Sequence, residues 1–185
     1  MIRRLCCAGA LSLALFATSI PSAQAATVSP STWAPKFCGA IEQYQTTIAD
    51  AKDQMDTALS GVTDLADGRA RIVSFLGEMV TAAKTAKSAV ARAGNPSSPN
   101  GAKIEAQFVK ALDESARIFT DAKAKAAKIS IASPAAFAKG GKQVGVDLTD
   151  AGEKLSTGFS DIGKLDKGKK LETAVRAAPE CASLT

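Results

Sequence analysis

The chain contains no histidine, so it lacks the commonest general base of enzymes and the commonest zinc ligand. Serine nucleophiles therefore have no usual partner, and no G-x-S-x-G, Walker or dinucleotide-binding motif occurs in the sequence. The Glu-x-x-His motif that holds two metal ions in some helical bundles is absent as well. We expect a protein that is not an enzyme and that uses neither a metal ion nor a cofactor.

Aromatic residues are scarce at 5% of the chain, and alanine supplies much of the 46% that is hydrophobic. A core built from such small side chains implies helices that approach each other closely. Trp33 is the only tryptophan, and we expect it to cover one end of this core. The alternative is that Trp33 is an exposed anchor for a ligand or a membrane surface.

Residues 1–25 have the pattern of a secretory signal peptide. Arg3 and Arg4 precede an apolar run that ends in an A-x-A cleavage site at Ala25. The apolar run is short for a membrane span. We therefore expect a secreted, extracytoplasmic protein that is not transmembrane after processing, with residues 26–185 forming a single helical-bundle domain.

Beyond the leader, apolar residues recur every three or four positions, which is the spacing of one face of an α-helix. The first such stripe consists of Phe37, Ile41, Tyr44, Ile48, Ala51, Met55, Leu59 and Val62. The same spacing predicts helices over about 33–59, 67–93 and 102–130, a fourth helix capped by Ser133, and a short helix at about 167–178. Four long amphipathic segments joined by short turns are typical of an all-α, up-down-up-down four-helix bundle.

Glycine is concentrated in the predicted fourth helix, where each glycine costs about 1 kcal/mol relative to alanine. The glycines are Gly140, Gly141, Gly145, Gly152 and Gly158. We interpret them as positions where a neighbouring backbone approaches closely. The alternative is a flexible helix that contacts a ligand.

Two segments lack a helical pattern. Residues 26–31 are predicted to form a disordered tail. The segment 94–101 contains two prolines and two serines, and we predict that it is an exposed hinge and the first site of proteolysis.

Cys38 and Cys181 are the two cysteines that follow the leader. In an up-down bundle the fourth helix ends where the first begins, so the short last helix brings Cys181 near Cys38. An even cysteine count in an oxidising compartment favours a disulfide. The alternative, a redox or metal pair, would require C-x-x-C spacing or further ligands.

Positive charge is moderate but unevenly distributed. Of the 23 basic residues, Arg3 and Arg4 lie in the leader, so 21 basic and 18 acidic residues remain and the net charge is +3. This excess does not by itself indicate nucleic-acid binding. The bundle topology nevertheless predicts a basic patch at one end, comprising Lys36, Lys87, Arg92, Lys164, Lys167, Lys169 and Lys170. The alternative is that these cations only complement the dipoles of helix C-termini.

Several short motifs resemble those of a group of small secreted helical proteins of high-GC Gram-positive bacteria. The motifs are Phe37-Cys38, Ala93-Gly94-Asn95-Pro96, Asn100-Gly101 and the ending Ala178-Pro179-Glu180-Cys181-Ala182-Ser183-Leu184. The resemblance implies secretion and a helical fold. It implies no activity, since that group has none established.

Two functions follow from these observations. The first is a secreted, non-enzymatic binding module of the cell envelope whose basic end contacts anionic envelope polymers or lipid head groups. The alternative is a carrier that holds a small apolar ligand between its helices, with the glycine-rich helix as one wall. A carrier requires an enclosed apolar cavity, whereas a surface-binding module requires a tightly packed core.

Overall fold

The computed structural model of the chain describes residues 27–60, 62–166 and 168–184, except the side chains of 150–163 and 184. The predicted signal peptide, residues 1–25, lies outside the described residues. The described chain is mostly helical and contains a Cys38–Cys181 disulfide, as the sequence predicts.

The described elements comprise five α-helices, one 3-10 helix and two very short strands. In chain order they are β1 (Thr27–Val28), α1 (Pro30–Ser60), α2 (Leu65–Ala93), β2 (Asn95–Pro96), α3 (Gly101–Ala126), α4 (Pro134–Gly163), α5 (Lys170–Ala177) and the terminal 3-10 helix (Pro179–Leu184). The first three long helices begin within three residues of their predicted starts, and α2 ends at the predicted residue. Helix α3 ends four residues earlier than predicted.

Polar side chains define the starts of three helices. The Asp64 carboxylate accepts a hydrogen bond from the Ala66 N–H at 2.8 Å and caps α2. The Ser133 hydroxyl accepts one from the Ala136 N–H at 3.2 Å and caps α4, which confirms the predicted cap. At α5 the Asp166 carboxylate performs this role from four residues upstream, accepting from the N–H groups of residues 171 and 172.

The long helices pack as successive neighbours. Helix α2 lies against both α1 and α3, and α4 lies against α3. The described residues show no comparable packing of α4 on α1. The closed, up-down-up-down form of the bundle therefore stays a prediction.

The core consists of two clusters at opposite ends of the helices. One cluster joins the start of α1 to the end of α2 and includes Trp33, Phe37 and Val90. Trp33 is 2% exposed and stacks on Phe37, with ring centroids 4.5 Å apart, so it covers the core as predicted. The other cluster joins α2, α3 and α4 around Leu76 and Val144.

The segment before α1 is ordered, contrary to the prediction, and the segment between α2 and α3 is only partly exposed. Thr27–Val28 pairs in parallel with Asn95–Pro96, and the Ser97 N–H donates to the Val28 carbonyl at 2.7 Å. Within the predicted tail Thr27–Val28 is therefore a strand, and α1 begins at Pro30. Within the predicted hinge Gly94, Pro96 and Gly101 are buried, whereas Ser97 and Pro99 are exposed. A short β-pair has no periodic sequence signal, so hydrophobic spacing could not reveal it.

The disulfide ties α1 to the end of the chain. The Cα atoms of Cys38 and Cys181 are 5.0 Å apart, and both side chains are fully buried. Helix α1 also packs against α5 and the terminal 3-10 helix. The bridge therefore fixes the last segment beside the start of α1.

One glycine of α4 is closely packed, but against a side chain and not against a neighbouring backbone as predicted. A Cβ atom at Gly140 would lie 3.0 Å from Cγ2 of Ile129, whereas nothing lies within 4 Å of the corresponding positions at Gly141 and Gly145. The side chains around the other two predicted positions, Gly152 and Gly158, lie outside the description. None of the described helices is long and apolar enough to span a membrane.

Candidate functional site

The first candidate site is the end of the molecule where several chain segments meet. The β1–β2 pair and the disulfide hold the start of α1 beside the end of α2 and the terminal 3-10 helix. The Asn100 side-chain amide donates to the Leu165 carbonyl at 2.7 Å and so joins the start of α3 to the turn that follows α4. We call this region the basic end.

Most of the predicted patch residues are exposed on these segments. Lys36, Arg92, Lys164, Lys169 and Lys170 are all exposed. The Lys169 ammonium lies 3.9 Å from a Glu172 carboxylate oxygen. Lys167 lies outside the described residues.

Lys87 differs from the other predicted patch residues. Its ammonium forms an ion pair with the Asp113 carboxylate of α3, and its side chain is only partly exposed. The pair joins α2 to α3. Lys87 therefore carries a charge that a neighbour already balances.

The basic end contains two cations that are not among the predicted patch residues. Lys103 is exposed in the first turn of α3, and Arg176 is exposed in the last turn of α5. The Arg176 guanidinium donates to a Glu172 carboxylate oxygen at 3.1 Å. The sequence contained a signal for Lys103, because it lies at the predicted start of the third helix. An up-down arrangement places that start at the same end as the predicted patch.

Two acidic residues of the basic end, Asp166 and Glu172, have local partners, whereas Glu105 and Glu180 have none among the described side chains. Asp166 accepts two backbone hydrogen bonds at the start of α5, and Glu172 contacts Lys169 and Arg176. In contrast, Lys36, Lys103 and Lys170 have no ion-pair or hydrogen-bond partner among the described side chains. Among the described side chains these three unpaired lysines outnumber the unpaired carboxylates of the basic end.

The second candidate site is an open groove of about 600 Å³ between α1 and α2. We call it the α1–α2 groove. Its base holds small side chains, and polar residues outnumber apolar ones in its lining, although the accessible lining surface is slightly more apolar than polar. The polar residues include Gln43, Thr47, Ser74, Glu78, Thr81 and Thr85. Lys123 of α3 also lines it, and a neighbouring groove of about 210 Å³ shares Ser74 and Glu78.

A buried hydroxyl contact lies beside this groove. Tyr44 of α1 shares a side-chain hydrogen bond with Ser115 of α3, and Ser115 is only 2% exposed. Burial raises the pKa of the Tyr44 phenol, and the hydrogen bond with Ser115 opposes the rise without cancelling it. Burial, the larger of the two effects, therefore favours the neutral phenol.

The α1–α2 groove does not have the form that a carrier of apolar ligands requires. It is open to solvent, and hydroxyl, amide and charged groups line it. Buried polar surface without partners disfavours an apolar ligand. The carrier function stays a prediction that this groove does not support.

The fold and these two surfaces define a disulfide-tied helical protein with a basic end and an open interhelical groove. The chain matches no known family model, no curated protein and no solved structure.

Proposed function

We propose that the protein is a secreted, non-enzymatic binding module of the cell envelope. Its basic end contacts phosphate-rich anionic polymers of the envelope. Its four long helices close into an up-down-up-down bundle. The contact is weak and made at several points. It requires no enclosed pocket and no chemical step.

The observation that carries the proposal is the position of the lysines relative to the helix dipoles. A cation stabilises a helix near its C-terminus and is unfavourable near its N-terminus. Lys103 lies in the first turn of α3, and Lys169 and Lys170 lie at the start of α5. Lys169 has a local partner in Glu172. Complementing a helix dipole does not account for Lys103 and Lys170, and their positions support the binding of an anion.

Exposed lysines suit a repeating phosphate polymer better than a single small anion. Each lysine near an anionic surface contributes about 1 kcal/mol, and the attraction falls off within a Debye length of about 8 Å at physiological salt. Several such contacts give a binding strength that depends steeply on salt.

Co-sedimentation across a salt series tests the proposal. The probes are phosphatidylglycerol vesicles and, in a separate arm, phosphate polymer attached to beads. The variant replaces Lys36, Lys103 and Lys170 with glutamine. At low salt we expect binding of the wild type to the polymer and a loss of about fivefold for each lysine removed.

The matched control replaces Lys128, Lys139 and Lys142 with glutamine. These residues are exposed at the opposite end, after α3 and in the first turns of α4, so both variants lose the same net charge. Equal losses in the two variants would show that net charge alone drives binding and would reject the basic end as the site. Binding to vesicles but not to polymer would show that the basic end binds lipid head groups and would reject the envelope polymer as its ligand.

A further inference from the structure

The α1–α2 groove presents two opposite charges to solvent without pairing them. Glu78 of α2 and Lys123 of α3 both line it. Neither side chain has an ion-pair or hydrogen-bond partner among the described residues. We propose that this groove binds a small zwitterionic ligand with the chemistry of a short peptide whose two ends are free.

A glycine gives Lys123 its access to the groove. The Lys123 ammonium lies 3.1 Å from the position that a Cβ atom would occupy at Gly77. Any other residue at Gly77 would therefore compete for the space of the ammonium group. Gly77 lets a side chain of α3 reach across α2 and supply the cationic group of the groove.

Glu78 supplies the anionic group where the α1–α2 groove meets its smaller neighbour. It lines both the larger groove and its smaller neighbour, as does Ser74. A ligand ammonium can therefore approach Glu78 from either groove. Because charged partners with ideal geometry bind more strongly than neutral ones, Glu78 and Lys123 would set the orientation of the ligand.

The hydroxyl groups of the wall are arranged as acceptors. Thr47 donates its hydroxyl hydrogen to the Gln43 carbonyl at 2.8 Å, and Thr81 donates to the Gly77 carbonyl at 3.1 Å. Each threonine oxygen keeps lone pairs that can accept a hydrogen bond from a ligand N–H. These acceptors suit an ammonium or amide ligand.

The size and base of the groove fit a short peptide. A volume of about 600 Å³ lies within the usual range for small-molecule sites, roughly 300–1,000 Å³. Ala40, Ala82 and Ala86 are buried at its base, where their small side chains let a ligand main chain approach closely. The carboxylate of Glu78 would repel a purely anionic ligand, so this site is separate from the basic end and does not depend on the function proposed for it.

Chemical-shift mapping of ¹⁵N-labelled protein tests the inference. The probes are di-, tri- and tetra-alanine with free ends, together with the same peptides acetylated at the N-terminus or amidated at the C-terminus. We expect saturable shifts at the groove residues of α1 and α2 for at least one free peptide. Blocking either end should weaken binding about three- to fivefold.

Matched variants assign each charge to one end of the ligand. Glu78→Gln should weaken binding of the free peptide about three- to fivefold and leave binding of the acetylated peptide unchanged. Lys123→Met should weaken binding of the free peptide by a similar factor and leave binding of the amidated peptide unchanged. The controls are Glu42→Gln and Lys110→Met, which change exposed residues outside the groove.

Gly77→Ala adds a test that does not remove a charge. The new methyl group displaces the flexible end of Lys123. Binding of the free peptide should therefore weaken, whereas binding of the amidated peptide should not change. The inference fails if no free peptide gives saturable shifts in the groove, or if the shifts appear but neither charge variant changes the affinity.

Discussion

Tyr44 and Ser115 form a polar contact between α1 and α3 that the sequence could predict only in part. Periodicity places both residues on core-facing stripes, and both are at least half buried. A stripe gives the face of one helix but not the partner across the interface. The pairing of these two hydroxyls therefore required the tertiary structure.

The titration of Tyr44 can be measured directly, since it is the only tyrosine in the chain. Burial raises its pKa above the ordinary value of 10.0. We expect the tyrosinate absorbance near 295 nm to appear at higher pH in the folded protein than in the urea-denatured protein. A folded midpoint equal to or below the denatured one would contradict the burial of this phenol.

The same shift has a consequence for stability. A group with a raised pKa in the folded state stabilises that state at pH values below its unfolded pKa, about 10. This stabilisation is lost as the pH rises through the folded pKa. Tyr44→Phe should therefore reduce the fall in the free energy of unfolding above pH 10, as measured by urea titration.

Gly101 occupies a position with no room for a side chain. A Cβ atom there would lie 1.7 Å from the Pro96 carbonyl oxygen, so the backbone would have to move. We expect Gly101→Ala to lower the free energy of unfolding by at least about 2 kcal/mol. Its control is Gly141→Ala, which meets nothing within 4 Å and should raise stability by about 1 kcal/mol. Equal effects of the two substitutions would show that close approach at Gly101 is absent.

At the scale of the elements, periodicity predicted the long helices well and the connections poorly. Apolar spacing and the Ser133–Pro134 cap located α1 to α4 to within a few residues. The segment 94–101 looked like an exposed hinge because it is rich in proline and serine. The burial of Gly94, Pro96 and Gly101 within it accompanies the pairing with Thr27–Val28, a contact between distant residues that local composition does not encode.

The connection between α3 and α4 is the more accessible segment. Ser130, Ile131 and Ala132 are exposed, and Ile131 is 41% exposed despite its large apolar side chain. We expect a protease of broad specificity to make its first internal cut within 127–133, as identified by mass spectrometry. A first cut within 94–101 would show that the β1–β2 pair does not protect that segment.

At the scale of the whole molecule, the disulfide and the β-pair determine which chain segments meet. Cysteine count and helix topology predicted the Cys38–Cys181 bridge, and the structure confirms it. The sequence could not assign Lys87 correctly, because its partner Asp113 lies on another helix. It also could not reveal the α1–α2 groove, since Lys123 enters it from a third helix.

Removing the bridge should loosen the end of the chain. Replacing both Cys38 and Cys181 with serine should lower the free energy of unfolding by about 2–5 kcal/mol, because the bridge restricts the unfolded chain. Urea titration of the variant and the oxidised wild type measures the difference. Unchanged stability, or two reactive thiols in the denatured wild type, would contradict a disulfide that holds these segments together.

The proposed function requires that the basic end, and not the surface as a whole, contacts anionic polymer. Titrating ¹⁵N-labelled protein with a short soluble polyphosphate at low salt tests this requirement. We expect the amide shifts to concentrate at the start of α3, the last turn of α2 and the start of α5, and to vanish as salt is raised. Shifts spread evenly over the protein, or centred on Lys128, Lys139 and Lys142 at the opposite end, would contradict the claim.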